Sequence, residues 1–165
     1  MKKPEKTQQP PKNDAKVYAL RLLTVRDRSK QELRERLEQR FSAEEAAEAL
    51  QYTEDLGYVD DQRFAMNYVQ YRNRTRPSGN YLLRFELRSK GVGDHYIDQA
   101  LNPPDMEYEL ALAVAKQRMA SLERLEPIVR LRRLYGLLER RGFPSGLTRR
   151  VVGELLDRDL ENEYN

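Results

Sequence analysis

Apolar residues recur every three or four positions along most of this chain, and no stretch alternates with the period of two that a half-buried strand needs. The pattern predicts helices throughout. Val17, Leu20, Leu23 and Thr24 make the first stripe. Ser29 with Glu32, and Ser42 with Glu45, have the spacing of capping boxes, in which the serine accepts from a free amide and the glutamate bonds back to the cap. Leu33 and Leu37 follow the first box. Ala46, Leu50 and Thr53 follow the second, with Phe41 and Ala46 placed as a hydrophobic staple. Gly57 supplies a left-handed stop. Asp60 then reads as an N-cap stapled by Val59 and Phe64, ahead of a face made by Phe64, Tyr68 and Tyr71. Pro77, Ser78 and Gly79 break that helix. Leu83 and Leu87 precede a stop at Gly91, and Asp94 is placed to cap a short helix bearing Ile97 and Leu101. Asn102, Pro103 and Pro104 form the clearest break in the chain. Beyond it Leu110, Val114 and Gln117 open another stripe. Pro127 fits the first turn of a helix carrying Leu131, Leu134 and Leu138 that ends at Gly142. Ser145 begins the last helix, with Val151, Val152, Leu155 and Leu156.

These stripes repeat. Leu33, Leu37, Phe41, Ala46 and Leu50 share a plan with Leu83, Leu87, Val92, Ile97 and Leu101, and again with Leu134, Leu138, Phe143, Thr148 and Val152. Phe41, Val92 and Phe143 are spaced 51 residues apart. The first copy lacks the glycine that precedes Val92 and Phe143, so its turn is expected to differ by one residue. Each copy reads as a long leading helix, a helix with the paired leucines and a short closing helix. A unit of about 50 residues buries too little surface to be stable alone, so stacked copies should share a continuous apolar seam. The expected fold is all-α: three tandem three-helix repeats forming an elongated, curved rod. Their boundaries are read as 15–59, 60–102 and 103–160, between a disordered basic tail at 1–14 and an acidic C-terminal tail at 161–165.

Composition narrows the chemistry. The 165 residues carry 30 Lys and Arg against 27 Asp and Glu, so a net charge of +3 hides a chain that is 35% charged. There is no cysteine and a single histidine, His95, which excludes disulfides, thiolate metal sites and any two-histidine site. No apolar run approaches the roughly 18 residues of a membrane span, and the lysine- and proline-rich start is no signal peptide, so the protein is expected to be soluble and cytoplasmic. Asp60 and Asp61 are adjacent carboxylates, but neighbours on a helix point about 100° apart and do not naturally share a metal. An N-cap with a neighbour favoured by the helix dipole accounts for both. His95 reads as a surface side chain. Gly91, Val92 and Gly93 lack a preceding strand and read as a helix stop. No serine has a base beside it. The chain is therefore expected to be no enzyme, with no metal and no cofactor.

Charge is segregated along the sequence. Residues 72–90 hold Arg72, Arg74, Arg76, Arg84, Arg88 and Lys90 against Glu86 alone. Residues 128–150 hold Arg130, Arg132, Arg133, Arg140, Arg141, Arg149 and Arg150 against Glu139 alone. Residues 42–61 hold seven acids and no base. Both basic segments coincide with leucine-pair helices, so arginines should project opposite the buried leucines. Guanidinium groups bind phosphate or carboxylate bidentately, which makes these thirteen cations a candidate binding surface for a polyanion or for an acidic protein groove. Tyr68, Tyr71 and Tyr81 lie beside them and read as core or rim residues more readily than as base-stacking platforms. The mixed segment 30–40 reads as a solvated face.

Residues 57–65, Gly-Tyr-Val-Asp-Asp-Gln-Arg-Phe-Ala, resemble the Gly-aromatic-aliphatic-Asp-Asp-x-x-Phe-Ala block of the RecX family of recombination regulators. Gly79, Leu82, Leu83, Glu86, Leu87, Lys90 and Gly91 resemble a second family block, and Leu-Glu-Arg-Arg-Gly-Phe at 138–143 followed by Val151 a third. The first repeat fits as well, through Ser29, Glu32 and Leu33. The resemblance covers residues 15–157. It implies three tandem three-helix units and a non-enzymatic protein that binds the groove of the RecA–DNA filament; the protein is expected to be a monomer. It further implies lowered recombinase, ATPase and coprotease activities, within DNA repair by homologous recombination and the SOS response. The partners implied are a RecA-type recombinase filament and, weakly and with salt sensitivity, single- or double-stranded DNA. The alternative is a helix-turn-helix-like DNA-binding protein acting on duplex DNA, which the short helices and glycine turns of 81–101 permit.

Overall fold

The structure, a computed structural model, describes residues 14–163, with side chains as far as Leu156. The described residues form nine α-helices and no strand: α1 (Ala15–Val25), α2 (Lys30–Glu38), α3 (Ala43–Asp55), α4 (Asp61–Thr75), α5 (Asn80–Ser89), α6 (Asp94–Ala100), α7 (Pro104–Met119), α8 (Pro127–Arg140) and α9 (Ser145–Glu163). They fall into three consecutive sets of three, and α3, α6 and α9 begin 51 residues apart. The closing helices are not uniformly short: they have 13, 7 and 19 residues. The basic tail expected at 1–14 lies outside the described residues except for Asp14, whose side chain accepts from the Lys16 amide and caps α1. Of the acidic tail expected at 161–165, the last two residues also lie outside them, and α9 runs through the other three.

The chain divides into two compact units. One holds the residues up to Phe64 together with Lys90–Val92; the other holds Ala65–Ser89 and everything from Gly93 onward. The second set of helices is thus shared between the units, as expected for a segment too small to bury a core alone.

In the first unit α1 packs on α3, and the buried face of α1 is Ala15 and Ala19, with Tyr18, Leu22 and Leu23 packed beside it. The stripe read from the sequence is displaced: Val17 and Leu20 are only half-buried and Thr24 is exposed. Alanines opposite Ala46 and Ala49 let two helices approach closely, and close packing outweighs the larger transfer energy of the leucines. Both capping boxes form, at Ser29 with Glu32 and at Ser42 with Glu45. Asp60 accepts from the Arg63 amide and caps α4 as expected. Asp61 does something the sequence did not suggest: its carboxylate accepts from the Lys30 amide at 2.8 Å, adding a second cap to α2. Burial raises the Asp61 pKa, and the Lys30 amide offsets this in part.

One local joint occurs twice. In the first unit the buried Ser29 hydroxyl accepts from the Glu32 amide and donates to the Lys90 carbonyl, while Lys90 Nζ lies 2.9 Å from Glu32. Gly91 beside it has φ +75°, and a Cβ there would overlap Gln31. In the second unit the Gly79 amide donates to the Arg141 carbonyl at 2.8 Å, Arg141 Nη1 donates to the Pro77 carbonyl at 3.2 Å, and Gly142 has φ +79°. A Cβ on Gly142 would overlap Leu82. Gln31 and Leu82 are 51 residues apart, as are Gly91 and Gly142. In the first copy Arg40 occupies the glycine position, and no non-glycine among the described residues has positive φ. The turn keeps its length, contrary to expectation, and differs in conformation. The Phe41 amide bonds to Leu37 four residues back, whereas the Phe143 amide bonds to Leu138 five residues back. Arg40 instead lies over the Tyr18 ring, 4.8 Å from its centroid.

In the second unit α7, α8 and α9 pack together around Ala111, Leu122, Leu134, Leu138, Val151 and Val152. The Asn-Pro-Pro break is tied down by polar side chains. Asn80 bonds to the Asn102 backbone in both directions, the Asn73 and Asn102 side chains bond each other, and the buried Glu107 accepts from the Asn80 backbone amide at 2.6 Å. Asp94 does not cap α6: Gly93 is the cap residue, and Asp94 pairs with Arg88.

Two predictions follow from these joints. Gly142→Ala is expected to lower stability by about 3 kcal/mol, since it adds overlap to a strained φ. Gly57→Ala, with φ +71° but open space around it, should cost about 1 kcal/mol. Urea denaturation of the two variants checks the difference. The second concerns pH. Burial alone would raise the Glu32 pKa, but hydrogen bonds and charge from Lys90 and Arg26 outweigh it and hold the carboxyl below its ordinary value. A depressed folded pKa gives stability that is present above the unfolded pKa of about 4.3 and is lost as pH falls through the folded value. Glu32→Gln should therefore lower stability at neutral pH by about 1 kcal/mol and flatten the acid limb of the stability–pH curve.

Candidate functional site

Helix α8 is two-faced. Leu134 and Leu138 are fully buried against α7 and α9, and Leu131 and Leu137 flank them. Arg132, Arg133 and Arg140 are exposed on the other side. Helix α7 runs beside it and turns Gln117 and Arg118 outward, although the sequence stripe placed Gln117 with the core. Between these helices lies an open groove of about 780 Å³. Arg118 contributes from α7, with Arg132, Arg133, Arg140 and Arg141 from α8 and its C-terminal turn. Val114 and Leu137 form the apolar part of the lining, and Gln117 and Ser121 are its neutral polar groups. No carboxylate lines it. Burial lowers the Arg141 pKa, and the nearby guanidiniums of Arg76 and Arg72 lower it further. Arg141 Nη1 donates to the Pro77 carbonyl and Arg72 bonds Ser78, so the segment carrying Arg72 and Arg76 meets this end of the groove.

The thirteen sequence-predicted cations divide into distinct environments. Arg132, Arg133, Arg140 and Arg141 come together in the groove, with Arg76 close to Arg141. Others are engaged within the protein. Arg72, only 15% exposed, bonds Glu86 at 3.0 Å and Ser78 at 2.9 Å. Arg84 pairs with Asp98 and Arg88 bidentately with Asp94. Lys90 pairs with Glu32. Arg150 pairs with Glu154 and lies over the Tyr108 ring, 4.5 Å from its centroid. Arg130 is half-buried; Arg74 and Arg149 are exposed outside the groove lining. Of the tyrosines, Tyr68 bonds Glu86, whereas Tyr71 and Tyr81 are exposed. Arg118 lies outside both basic segments and was missed because charge was counted along the chain. Its signal was present in helical spacing: Val114, Gln117, Arg118 and Ser121 share one face of α7 and its continuation.

The groove gathers positive charge without a carboxylate among its lining residues, which suits it to anions. Among the described residues no three of His, Asp and Glu converge as a metal site. His95 is exposed and within 3.1 Å of Gln99. No helix among them is long and apolar enough to cross a membrane.

Comparison with known proteins agrees with the architecture. Family models described as the first, second and third three-helix domains of RecX match residues 15–52, 60–101 and 105–152. This chain belongs to the RecX family. It is 36% identical to the Regulatory protein RecX of Streptomyces coelicolor over 155 residues, covering 92% of this chain and 82% of that protein. With the RecX of Trichlorobacter lovleyi the identity is 40% over 144 residues, covering 84% and 94%. The crystal structure of RecX from Lactobacillus salivarius shares the fold, with a TM-score of 0.75 at 19% identity over 86% of this chain and 94% of that one. A second crystal structure of a regulatory protein RecX also superposes with a TM-score of 0.75, at 24% identity over 83% and 70%. These RecX relatives are named as regulatory proteins.

The sorting of arginines predicts unequal costs. Arg72→Ala leaves Glu86 and Ser78 short of a partner and is expected to destabilise by about 2 kcal/mol. Arg74→Ala should stay within about 0.5 kcal/mol of the parent. Thermal or urea unfolding of the two variants tests this.

Proposed function

We propose that this protein is a non-enzymatic regulator that binds a RecA–DNA filament along its groove and lowers the recombinase, ATPase and coprotease activities of that filament. Membership of the RecX family supports the class of partner. The single observation that carries a binding role is the α7–α8 groove, where five guanidiniums converge with no carboxylate among its lining residues. An anion-binding site of this kind gains affinity and association rate from the field of a DNA-bearing filament. In this reading the three repeats, 15–59, 60–102 and 103–160, lie along successive recombinase subunits as a monomer. Their engagement blocks access of a second DNA or a client protein. Free DNA is held weakly and in a salt-sensitive way. The setting is the cytoplasm, in DNA repair by homologous recombination and the SOS response.

The test is inhibition of single-strand-dependent ATP hydrolysis by a purified RecA recombinase. Arg118→Glu, Arg132→Glu and Arg140→Glu, combined, should raise the concentration needed for half-inhibition by about tenfold or more, equivalent to about 1.4 kcal/mol. Circular dichroism should remain that of the parent. If the triple variant inhibits as well as the parent, the groove is not the contact.

A further inference from the structure

A second groove lies in the first unit, between α1 and the turn after α2, with a volume of about 630 Å³. Its character differs from that of the α7–α8 groove. Tyr18, Leu22 and Phe41 pack on the core of the unit and also line this groove. The Tyr18 and Phe41 rings meet with their centroids 5.7 Å apart. Val17 and Val25 extend the apolar lining along α1, and Val25 is 79% exposed. The other lining residues are Arg21 and Arg40, both exposed, and no carboxylate is among them.

Aromatic and aliphatic side chains edged by arginine have the composition of a protein docking site. Nucleic-acid interfaces are instead polar, wet and strongly positive. The complementary ligand is a helix with large apolar residues and acids on one stripe. The chain itself contains such a sequence. Residues 157–165 are Asp-Arg-Asp-Leu-Glu-Asn-Glu-Tyr-Asn, with four acids against Arg158 alone. Asp157, Leu160, Glu161 and Tyr164 have the i, i+3, i+4, i+7 spacing of one helical face. The backbone of α9 is helical through Glu163. Two anchors one turn apart span about 6 Å, and the α1 part of the lining runs about 12 Å from Val17 to Val25. The opposite end of the chain does not match. Residues 2–12 hold four lysines and no leucine, isoleucine, valine or aromatic residue, so Arg21 and Arg40 would repel them.

We infer that the α1 groove of one copy takes the C-terminal segment 157–165 of a second copy. Leu160 and Tyr164 supply the anchors for the apolar lining, and Asp157 and Glu161 the charges for Arg21 and Arg40. Groove and segment are different surfaces, so the contact is heterologous: each joined copy keeps one groove or one segment free for the next. So small an interface holds weakly, with a Kd on the order of 0.1 mM, and dilute protein stays monomeric. Copies aligned on a common polymer meet at an effective concentration on the order of millimolar, where the contact forms. That use on a filament rests on the regulatory reading; the contact itself does not.

The experiment has two parts, both on the full chain without recombinase. In the first, fluorescence anisotropy follows binding of a labelled peptide of residues 156–165. Arg21→Glu in the protein should weaken it about tenfold or more, as should Leu160→Ser with Tyr164→Ser in the peptide. A peptide with Asp157→Lys and Glu161→Lys should bind the Arg21→Glu protein better than the parent, which a loss of folding would not produce. In the second, sedimentation equilibrium follows the chain alone. The parent should associate as its concentration passes about 0.1 mM. Arg21→Glu should stay monomeric, and so should Leu160→Ser with Tyr164→Ser. Mixed, these two variants should form a one-to-one dimer and go no further, since one supplies only the segment and the other only the groove. Three results would overturn the proposal. One is a peptide that does not bind, or that binds Arg21→Glu like the parent. Another is mixed variants that do not pair. The third is a parent that stays monomeric and binds the peptide only after Leu160 and Tyr164 are changed, which would seat the segment in its own chain. Because no recombinase is present, failure here leaves inhibition of ATP hydrolysis to its own test, and failure of that inhibition leaves this contact standing.

Discussion

The structure depends on two places where the backbone leaves no room for a Cβ. Gly91 and Gly142 each turn the chain through positive φ while pressed against the first turn of another helix, at Gln31 and at Leu82. Either requirement alone favours glycine; together they exclude other residues. The second joint has a consequence for charge. To let the Gly79 amide reach the Arg141 carbonyl, the end of α8 must sit against the start of α5, and this brings Arg141 beside Arg72 and Arg76. A constraint on packing thereby concentrates guanidiniums that lie 65 or more residues apart in sequence. The buried leucines of α8 do the rest, since fixing Leu134 and Leu138 inward turns Arg132, Arg133 and Arg140 outward.

Charge in this protein is best understood by what each cation already holds. Exposed pairs such as Arg84–Asp98 and Arg88–Asp94 add little to stability, because water and salt screen them. Their larger effect is to neutralise cations that a count of residues treats as available. Arg72 is a different case: shielded, bonded to Glu86 and Ser78, and part of the fold. The groove arginines lack carboxylates among its lining residues, and mutual repulsion is the cost of holding them together. A polyanion removes that repulsion, which is why the groove, more than either basic segment as a whole, has the electrostatics of a binding site.

Much of this was legible in the sequence because it rests on local rules. The boxes at Ser29 and Ser42, the cap at Asp60, the left-handed stops at Gly57, Gly91 and Gly142, and the inward leucines all follow from spacing of three or four residues. The 51-residue period is recovered in the starts of α3, α6 and α9. What was not legible depends on contacts between one helix and another. The alanine face of α1 is chosen by Ala46 and Ala49 of α3. Asp61 caps a helix 31 residues earlier, and Asp94 is taken from its own helix by Arg88. Arg40 tolerates the loss of a glycine because its turn, unlike those at Gly91 and Gly142, makes no joint of this kind. Arg118 joins the groove through the pairing of α7 with α8. Repeats are a property of sequence, while packing units are a property of burial, and the sharing of the second repeat between two units shows that they need not coincide.

The central claim is that anion binding uses the groove guanidiniums and not the total of basic residues. It is tested most directly by the salt dependence of oligonucleotide affinity in two charge-matched variants. One changes Arg118, Arg132 and Arg133 to glutamine, the other Arg84, Arg88 and Arg150. Each phosphate contact contributes about 0.7 to 0.9 to the slope of log affinity against log salt. The account predicts that the groove variant loses about two units of slope while the paired variant keeps the parental value. Equal losses in both variants would contradict it.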